Sequence, residues 1–138
     1  MRASWLYRIA SVVLLLFALG HTIGFAKGDP SWHAQAAIES MRSVQFPVGS
    51  FTRSYWDFFL GFGYFVSILM VFAALVAWQL GGLRKEVLAQ LPLVTWGLAL
   101  SFVAVVVLNW QYFFWIPITF SAILAALLIV AAVLARRG

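Results

Sequence analysis

Four long runs of apolar residues dominate the sequence, and polar or charged residues gather between them. The runs cover residues 5–25, 55–80, 91–110 and 114–134. At a rise of about 1.5 Å per residue, about twenty helical residues cross a hydrocarbon core about 30 Å thick. The runs are continuously apolar rather than alternating, which excludes a transmembrane β-barrel. The pattern predicts an all-α fold: one integral membrane domain over residues 1–138, built as a bundle of four transmembrane helices.

The connection between the first and second spans is longer than the other two, and we expect it to be structured. Asp29 and Pro30 have the order of an N-cap followed by proline at the first helical position. Apolar residues then recur at helical spacing, at Ala34, Ala37, Ile38, Met41 and Val44. This predicts a short external amphipathic helix over about residues 30–45, lying on the outer membrane surface and ending before Pro47.

The distribution of positive charge predicts the topology. The chain is 64% hydrophobic and 9% charged, with a formal net charge of +5. One side of the membrane receives Arg2, Arg8, Arg84, Lys85, Arg136 and Arg137, and the other receives Lys27, Arg42 and Arg53. Because cytoplasmic loops carry the excess of Lys and Arg, both termini are predicted to be cytoplasmic. No basic face is long enough to follow phosphates, which excludes nucleic acid as a partner.

Three polar residues lie near the external ends of three different spans, and each needs a reason because polar groups in lipid are costly. Counting from the aromatic residues at the boundaries places His21, Asp57 and Asn109 at a similar depth. Arg53 precedes Asp57 by four residues, the helical spacing of an ion pair. His21 and Asp57 are the candidate catalytic residues, suited to proton transfer. The alternative is structural: a helix-packing hydrogen bond for His21 and a solvated partner of Arg53 for Asp57.

Small and aromatic residues near these positions suggest space for a ligand. Gly20, Gly24, Gly61 and Gly63 remove side-chain bulk beside His21 and Asp57, which favours either close helix packing or a ligand gap. The aromatic segment 109–115 forms either an interfacial belt or one wall of a cavity. The candidate ligand-binding residues are Arg53, Tyr64, Asn109, Trp110 and Tyr112. Together these features predict an outward-facing pocket for a quinone-like or lipid-like molecule.

Neither a metal site nor a cofactor is predicted. The chain has no cysteine, so thiolate ligands and thiol nucleophiles are excluded. Its two histidines are twelve residues apart, without the spacing of a helical metal site. The chain also lacks the phosphate-binding loop of nucleotide hydrolases and the nucleophile elbow of serine esterases.

Two stretches resemble sequences of small, uncharacterised four-span proteins of the bacterial inner membrane. They are Gly-His-Thr-Ile-Gly-Phe at 20–25 and Arg-Ser-Tyr-Trp-Asp-Phe-Phe-Leu-Gly-Phe-Gly at 53–63. The resemblance covers the whole chain; it implies a four-helix inner-membrane fold and carries no assigned activity or ligand. By fold analogy alone, the architecture is also similar to four-span lipid-binding or lipid-modifying bundles, including sterol-isomerase-like ones. The chain lacks a motif that would transfer their chemistry.

Three functional hypotheses follow from the sequence. The first is a binding or catalytic pocket: it binds a small lipophilic molecule, or binds it and acts on it, and membrane lipids are its other partners. The second is a non-catalytic accessory subunit that packs against partner membrane subunits through its small-residue stripes. The third is a small transporter that works as a dimer, a homo-oligomer of two chains. This hypothesis is disfavoured because no acid lies near the middle of a span.

Overall fold

The computed structural model describes residues 2–27 and 30–136, and 81% of them are helical. The helices are α1 (Ala3–Gly24), α2 (Gln35–Ser43), α3 (Tyr55–Leu80), α4 (Lys85–Ala89), α5 (Pro92–Tyr112) and α6 (Trp115–Arg136). A 3₁₀ turn covers Pro30–Trp32, and two short strands, β1 (Gln45–Val48) and β2 (Phe51–Ser54), lie between α2 and α3. The predicted cap at Asp29 lies outside the described residues.

Four of these helices, α1, α3, α5 and α6, are long and apolar enough to cross a membrane. Their lengths are 22, 26, 21 and 22 residues. Each boundary lies within about two residues of the one predicted from the apolar runs, and α3 matches its run at both ends. The prediction of four helices with the length and hydropathy of membrane spans is confirmed.

The described residues divide into two compact units, one formed by residues 18–69 and the other by the remaining segments. The second unit contains the main apolar core, in which Tyr7 and Leu14 of α1 and Leu124 and Leu128 of α6 are fully buried. Alanines fill much of the remaining core: Ala10, Ala74, Ala77, Ala99, Ala131 and Ala135. Such small side chains let helices in lipid approach closely, where packing rather than hydrophobic burial drives association.

Within this second unit, the first half of α1 runs antiparallel to the last half of α3. The Ser11 hydroxyl donates a hydrogen bond of 2.7 Å to the carbonyl of Ala74. Nearer the start of α1, the Arg8 side chain lies over Trp78. The contacts therefore run in opposite order along the two helices. This arrangement places the beginning of α1 beside the end of α3.

The connection between α1 and α3 lies in the other unit, residues 18–69, and differs from the prediction. The expected helix over 30–45 is a 3₁₀ turn followed by the nine-residue α2, which buries none of its residues. Its position at the membrane surface stays a prediction. The next residues, which no part of the sequence analysis assigned to strands, form an antiparallel hairpin. Its two-residue turn has Gly49 at φ +60°, as the first central position of a type II′ turn requires.

Aromatic contacts join this hairpin to the start of α3. The Phe46 ring of β1 packs against Tyr55 and Phe58, with ring centroids 4.9 and 5.9 Å apart. The guanidinium of Arg42, in the last turn of α2, lies 4.6 Å from the centroid of Trp56. The hairpin thereby fixes the position of the first turns of α3.

Candidate ligand-binding site

A reciprocal pair of hydrogen bonds fixes the N-terminus of α3. The backbone N–H of Ser54 donates to Asp57 Oδ2 at 2.7 Å, and the N–H of Asp57 donates to Ser54 Oγ at 3.2 Å. The Ser54 hydroxyl also donates to Asp57 Oδ2, at 2.9 Å. This is the geometry of a capping box, in which the two residues satisfy backbone donors at a helix start. The main role of Asp57 in the structure is therefore to start α3.

The predicted ion pair between Arg53 and Asp57 is not formed. Arg53 belongs to β2, so its backbone is extended and the helical i, i+4 geometry does not apply. Its guanidinium instead donates to the carbonyl of Thr52 at 2.8 Å and lies 4.9 Å from the centroid of Phe51. Among the residues that the structure describes, neither partner of the predicted pair makes another ion pair.

An open hollow of about 380 Å³ lies beside these two residues, on one face of α3. Its lining is Arg53, Asp57, Phe58, Gly61, Phe62 and Phe65. A Cβ added at Gly61 would meet no atom within 4 Å beyond its chain neighbours and its own helix backbone, so the face of α3 is open at this position. The three phenylalanine rings are partly to mostly exposed around it. The hollow therefore combines a polar end, formed by Arg53 and Asp57, with an aromatic, apolar floor.

His21 takes part in a different arrangement, a hydrogen-bonded cluster between α1 and α3. Its Nδ1 lies 3.0 Å from the hydroxyl of Ser67, which is also 2.8 Å from the hydroxyl of Thr22. The His21 ring stacks on Phe25 at a centroid distance of 5.0 Å. These contacts correspond to the structural alternative for His21, a hydrogen bond that holds two helices together.

The structure does not bring His21 and Asp57 together. Ser67, the partner of His21, lies ten residues beyond Asp57, or about 15 Å along the axis of α3. Phe25, at the end of α1, packs directly on Gly63. About two turns of α3 therefore extend past the end of α1. The prediction that His21 and Asp57 lie at one depth is wrong. It assumed that Phe25 and Tyr55 lie at the same level, whereas Phe25 lies beside Gly63.

The other candidate residues have separate surroundings. Tyr64 is half exposed and meets Phe25 edge-on at a centroid distance of 5.1 Å. In the other unit, buried Asn109 donates to the carbonyl of Pro117 at 3.0 Å and to Ser121 Oγ at 3.1 Å, which links α5 to α6 across their turn. Trp110 and Tyr112 are 70% and 68% exposed, and their place in an interfacial belt stays a prediction. None of these four residues lines the hollow on α3.

Two serines that the sequence analysis did not select have central positions. Ser54 caps the N-terminus of α3, and the hydroxyl of Ser67 forms a hydrogen bond with His21. The first had a recognisable signal, since Ser54 and Asp57 fit the Ser-x-x-acid pattern that precedes an apolar run. The second had a weaker one: Ser67 is a hydroxyl residue in an otherwise apolar stretch, and a buried polar group in lipid needs a partner.

The described residues contain no group of three or more His, Asp or Glu side chains placed to hold a metal ion. Comparison of the chain with protein-family models, curated proteins and solved structures found no match. The geometry of the hollow is therefore the basis for a functional assignment. That geometry offers guanidinium donors at one end and ring faces along the rest. It is suited to binding an amphiphile.

Proposed function

We propose that the protein is a multi-pass membrane protein that binds a small lipophilic molecule, quinone-like or lipid-like, in the hollow on α3. The observation that supports this proposal is the hollow itself, which has Arg53 at its polar end and an open space at Gly61 between phenylalanine rings. Arg53 uses one N–H on Thr52 and keeps further donors for a carbonyl or acidic head group. The rings supply flat apolar surface for the rest of the molecule.

The length of α3 supports this placement. Its 26 residues extend about 39 Å, which exceeds a hydrocarbon core of about 30 Å. The first turns of α3 then reach the headgroup region, where an amphiphile changes from polar to apolar. In this proposal the protein lies in the bacterial inner membrane with both termini in the cytoplasm, and the hollow faces the outer leaflet.

The proposal assigns binding rather than catalysis to this site. Asp57 Oδ2 already accepts two hydrogen bonds from Ser54, so that oxygen is a poor proton acceptor for a ligand. His21, the other proton-transfer candidate, bonds to Ser67 about 15 Å further along α3. Anchoring by Arg53 is the role that the contacts favour.

Filling the hollow tests the proposal. The Gly61→Trp variant places a ring in the gap, and Gly97→Trp is its matched control, because Gly97 is also helical and faces open space in α5. Thermal unfolding in detergent is measured with and without a short-chain prenylated benzoquinone and, separately, oleate. We expect at least one probe to raise the unfolding temperature of the parent and of Gly97→Trp but not of Gly61→Trp. Equal shifts in all three proteins, or none in the parent, would refute the proposal.

One observation favours the accessory-subunit hypothesis as a second candidate. Of the four spanning helices α3 is the least buried, with only 11% of its most apolar stretch inside the structure. A partner helix packed on this surface would use the same gap at Gly61. A photoreactive phenylalanine analogue at Phe62 distinguishes the two in native membranes. Crosslinks to lipid or quinone support the binding protein, whereas a single discrete protein adduct supports the subunit.

A further inference from the structure

A second open hollow, of about 790 Å³, lies in the other unit between the start of α1 and the end of α3. Its lining is Ser4, Trp5, Arg8, Ile9, Val12, Val13, Trp78 and Gly81. We call this hollow the Arg8 groove. Apart from Ser4, Arg8 and Gly81, its walls are aliphatic or aromatic. It is therefore an apolar groove that contains one positive charge.

The structure holds the Arg8 side chain in place. Its guanidinium carbon lies 3.7 Å from the centroid of the Trp78 ring, a close cation–π contact. Its aliphatic carbons pack on Gly81, where an added Cβ would lie 2.9 Å from Arg8 Cγ. An added Cβ at Gly82 would lie 3.1 Å from Arg8 Nη2. The two glycines thus leave the space that the arginine occupies, and ordering this side chain costs a ligand little further entropy.

The fixed guanidinium has no anionic partner among the residues that the structure describes. Its only directed contact there is with the Trp78 ring, and Glu86 in the adjoining α4 makes no ion pair with it. A guanidinium presents five N–H donors in a planar fork that matches two oxygens of a phosphate. In a partly desolvated site near lipid, those donors need an acceptor. The oxygens of an anionic ligand would supply that acceptor.

The apolar walls indicate what carries that anion. Ile9, Val12 and Val13 continue along α1 from Arg8 toward the middle of the helix, over about 7–8 Å. One leaflet of hydrocarbon is about 15 Å deep. The walls thus match the upper half of an acyl chain whose phosphate lies at Arg8. A free phosphate would leave this apolar surface uncovered.

We propose that the Arg8 groove binds one anionic phospholipid, with its phosphate on the Arg8 guanidinium and the first half of an acyl chain along Ile9, Val12 and Val13. Arg84, in the loop that follows Gly82, and Lys85, the first residue of α4, add positive charge that favours an anionic over a zwitterionic headgroup. This site is separate from the hollow on α3, so either assignment can fail without the other.

Native mass spectrometry of the delipidated full chain tests the proposal, with titrations of phosphatidylglycerol, phosphatidylcholine and inorganic phosphate. Arg8→Gln removes the charge from the groove. Arg42→Gln is its control, because it removes an exposed arginine that also lies over a tryptophan ring but is outside the lining. Val12→Trp keeps the arginine and fills the apolar wall, which gives an independent test where Arg8→Gln folds poorly.

We expect the parent and Arg42→Gln to bind one phosphatidylglycerol. Arg8→Gln should bind it about tenfold more weakly, the loss typical of a charge-assisted hydrogen bond, and Val12→Trp should also bind it more weakly because its ring occupies the apolar wall. Phosphatidylcholine should bind the parent more weakly, and inorganic phosphate should not displace the lipid. The proposal is overturned if Arg8→Gln and Arg42→Gln lose lipid equally, if Val12→Trp binds like the parent, or if inorganic phosphate competes.

Discussion

At the scale of single residues, polar side chains near the spans serve mainly to satisfy one another. Ser54 and Asp57 satisfy each other at the start of α3, and His21 meets Ser67. The sequence indicates which polar residues need partners, because unsatisfied groups in lipid are costly. It does not indicate the partners, because these depend on how far one helix extends past another. Arg53 and Asp57 show this, since their spacing predicts a pair only if both lie in one helix.

The Ser54→Ala variant tests the capping box. Removing the buried hydroxyl at the N-cap should lower the free energy of unfolding by about 1 kcal/mol. Asp57→Ala should also lower the unfolding temperature, whereas Arg53→Ala should leave it close to that of the parent because no ion pair is lost. Denaturation in detergent of the single variants and of the Arg53→Ala, Asp57→Ala double variant measures this. Non-additive effects in the double variant would indicate that Arg53 and Asp57 do form an ion pair, and would contradict the capping assignment.

Asn109 offers a second residue-scale test, because its buried amide links α5 to α6. The Asn109→Leu variant keeps similar volume but removes the hydrogen bonds to Pro117 and Ser121, and should cost about 1 kcal/mol. Ser101→Ala is the control, since that exposed hydroxyl bonds only to Gly97 within its own helix. Detergent unfolding of both variants gives the comparison. An equal effect of the two changes would mean that the α5–α6 link adds nothing.

At the scale of elements, the apolar runs predict the four long helices because a membrane span needs both length and continuous hydropathy. The same criterion gives little information about the connection between α1 and α3, because the elements there are short. There, apolar residues at helical spacing predict one helix over about 30–45, but α2 ends at Ser43 and a hairpin follows. The hairpin signal is Gly49-Ser50 between two short runs of strand-forming residues. A proline in the first run, Pro47, masks that signal, since proline is tolerated only in edge strands.

Gly49 is the element-scale test of that hairpin. Its φ of +60° lies in a region that costs a residue with a Cβ about 1–2 kcal/mol, so Gly49→Ala should destabilise the hairpin by about that amount. Amide hydrogen exchange of β1 and β2 measures the effect, which should appear as faster exchange in both strands. Gly20→Ala is the control, because Gly20 lies in α1 with open space around it. Unchanged exchange in the Gly49→Ala hairpin would contradict the turn assignment.

At the scale of the whole molecule, positive charge and an even number of spans lead to one topological prediction. Four helices that each crossed a membrane would place both termini and the α3–α5 loop on one side, which would carry six of the nine Lys and Arg residues. The positive-inside rule predicts that this side is cytoplasmic. The same orientation predicts that the connection between α1 and α3 is external. It also predicts that the start of α1, with the Arg8 groove, meets the cytoplasmic leaflet, where anionic lipids concentrate.

The absence of cysteine from the chain makes this topology directly measurable. Ser50→Cys introduces a thiol at the exposed turn of the hairpin, and Glu86→Cys introduces one at an exposed position in α4 without changing the Lys and Arg count. In intact cells, a membrane-impermeant maleimide should label Ser50→Cys, and should label Glu86→Cys only after the membrane is permeabilised. The parent is the control for background labelling. The reverse labelling pattern would show that the protein has the opposite orientation in the membrane. Labelling of both positions in intact cells would mean that the six-to-three excess of positive charge does not fix one orientation.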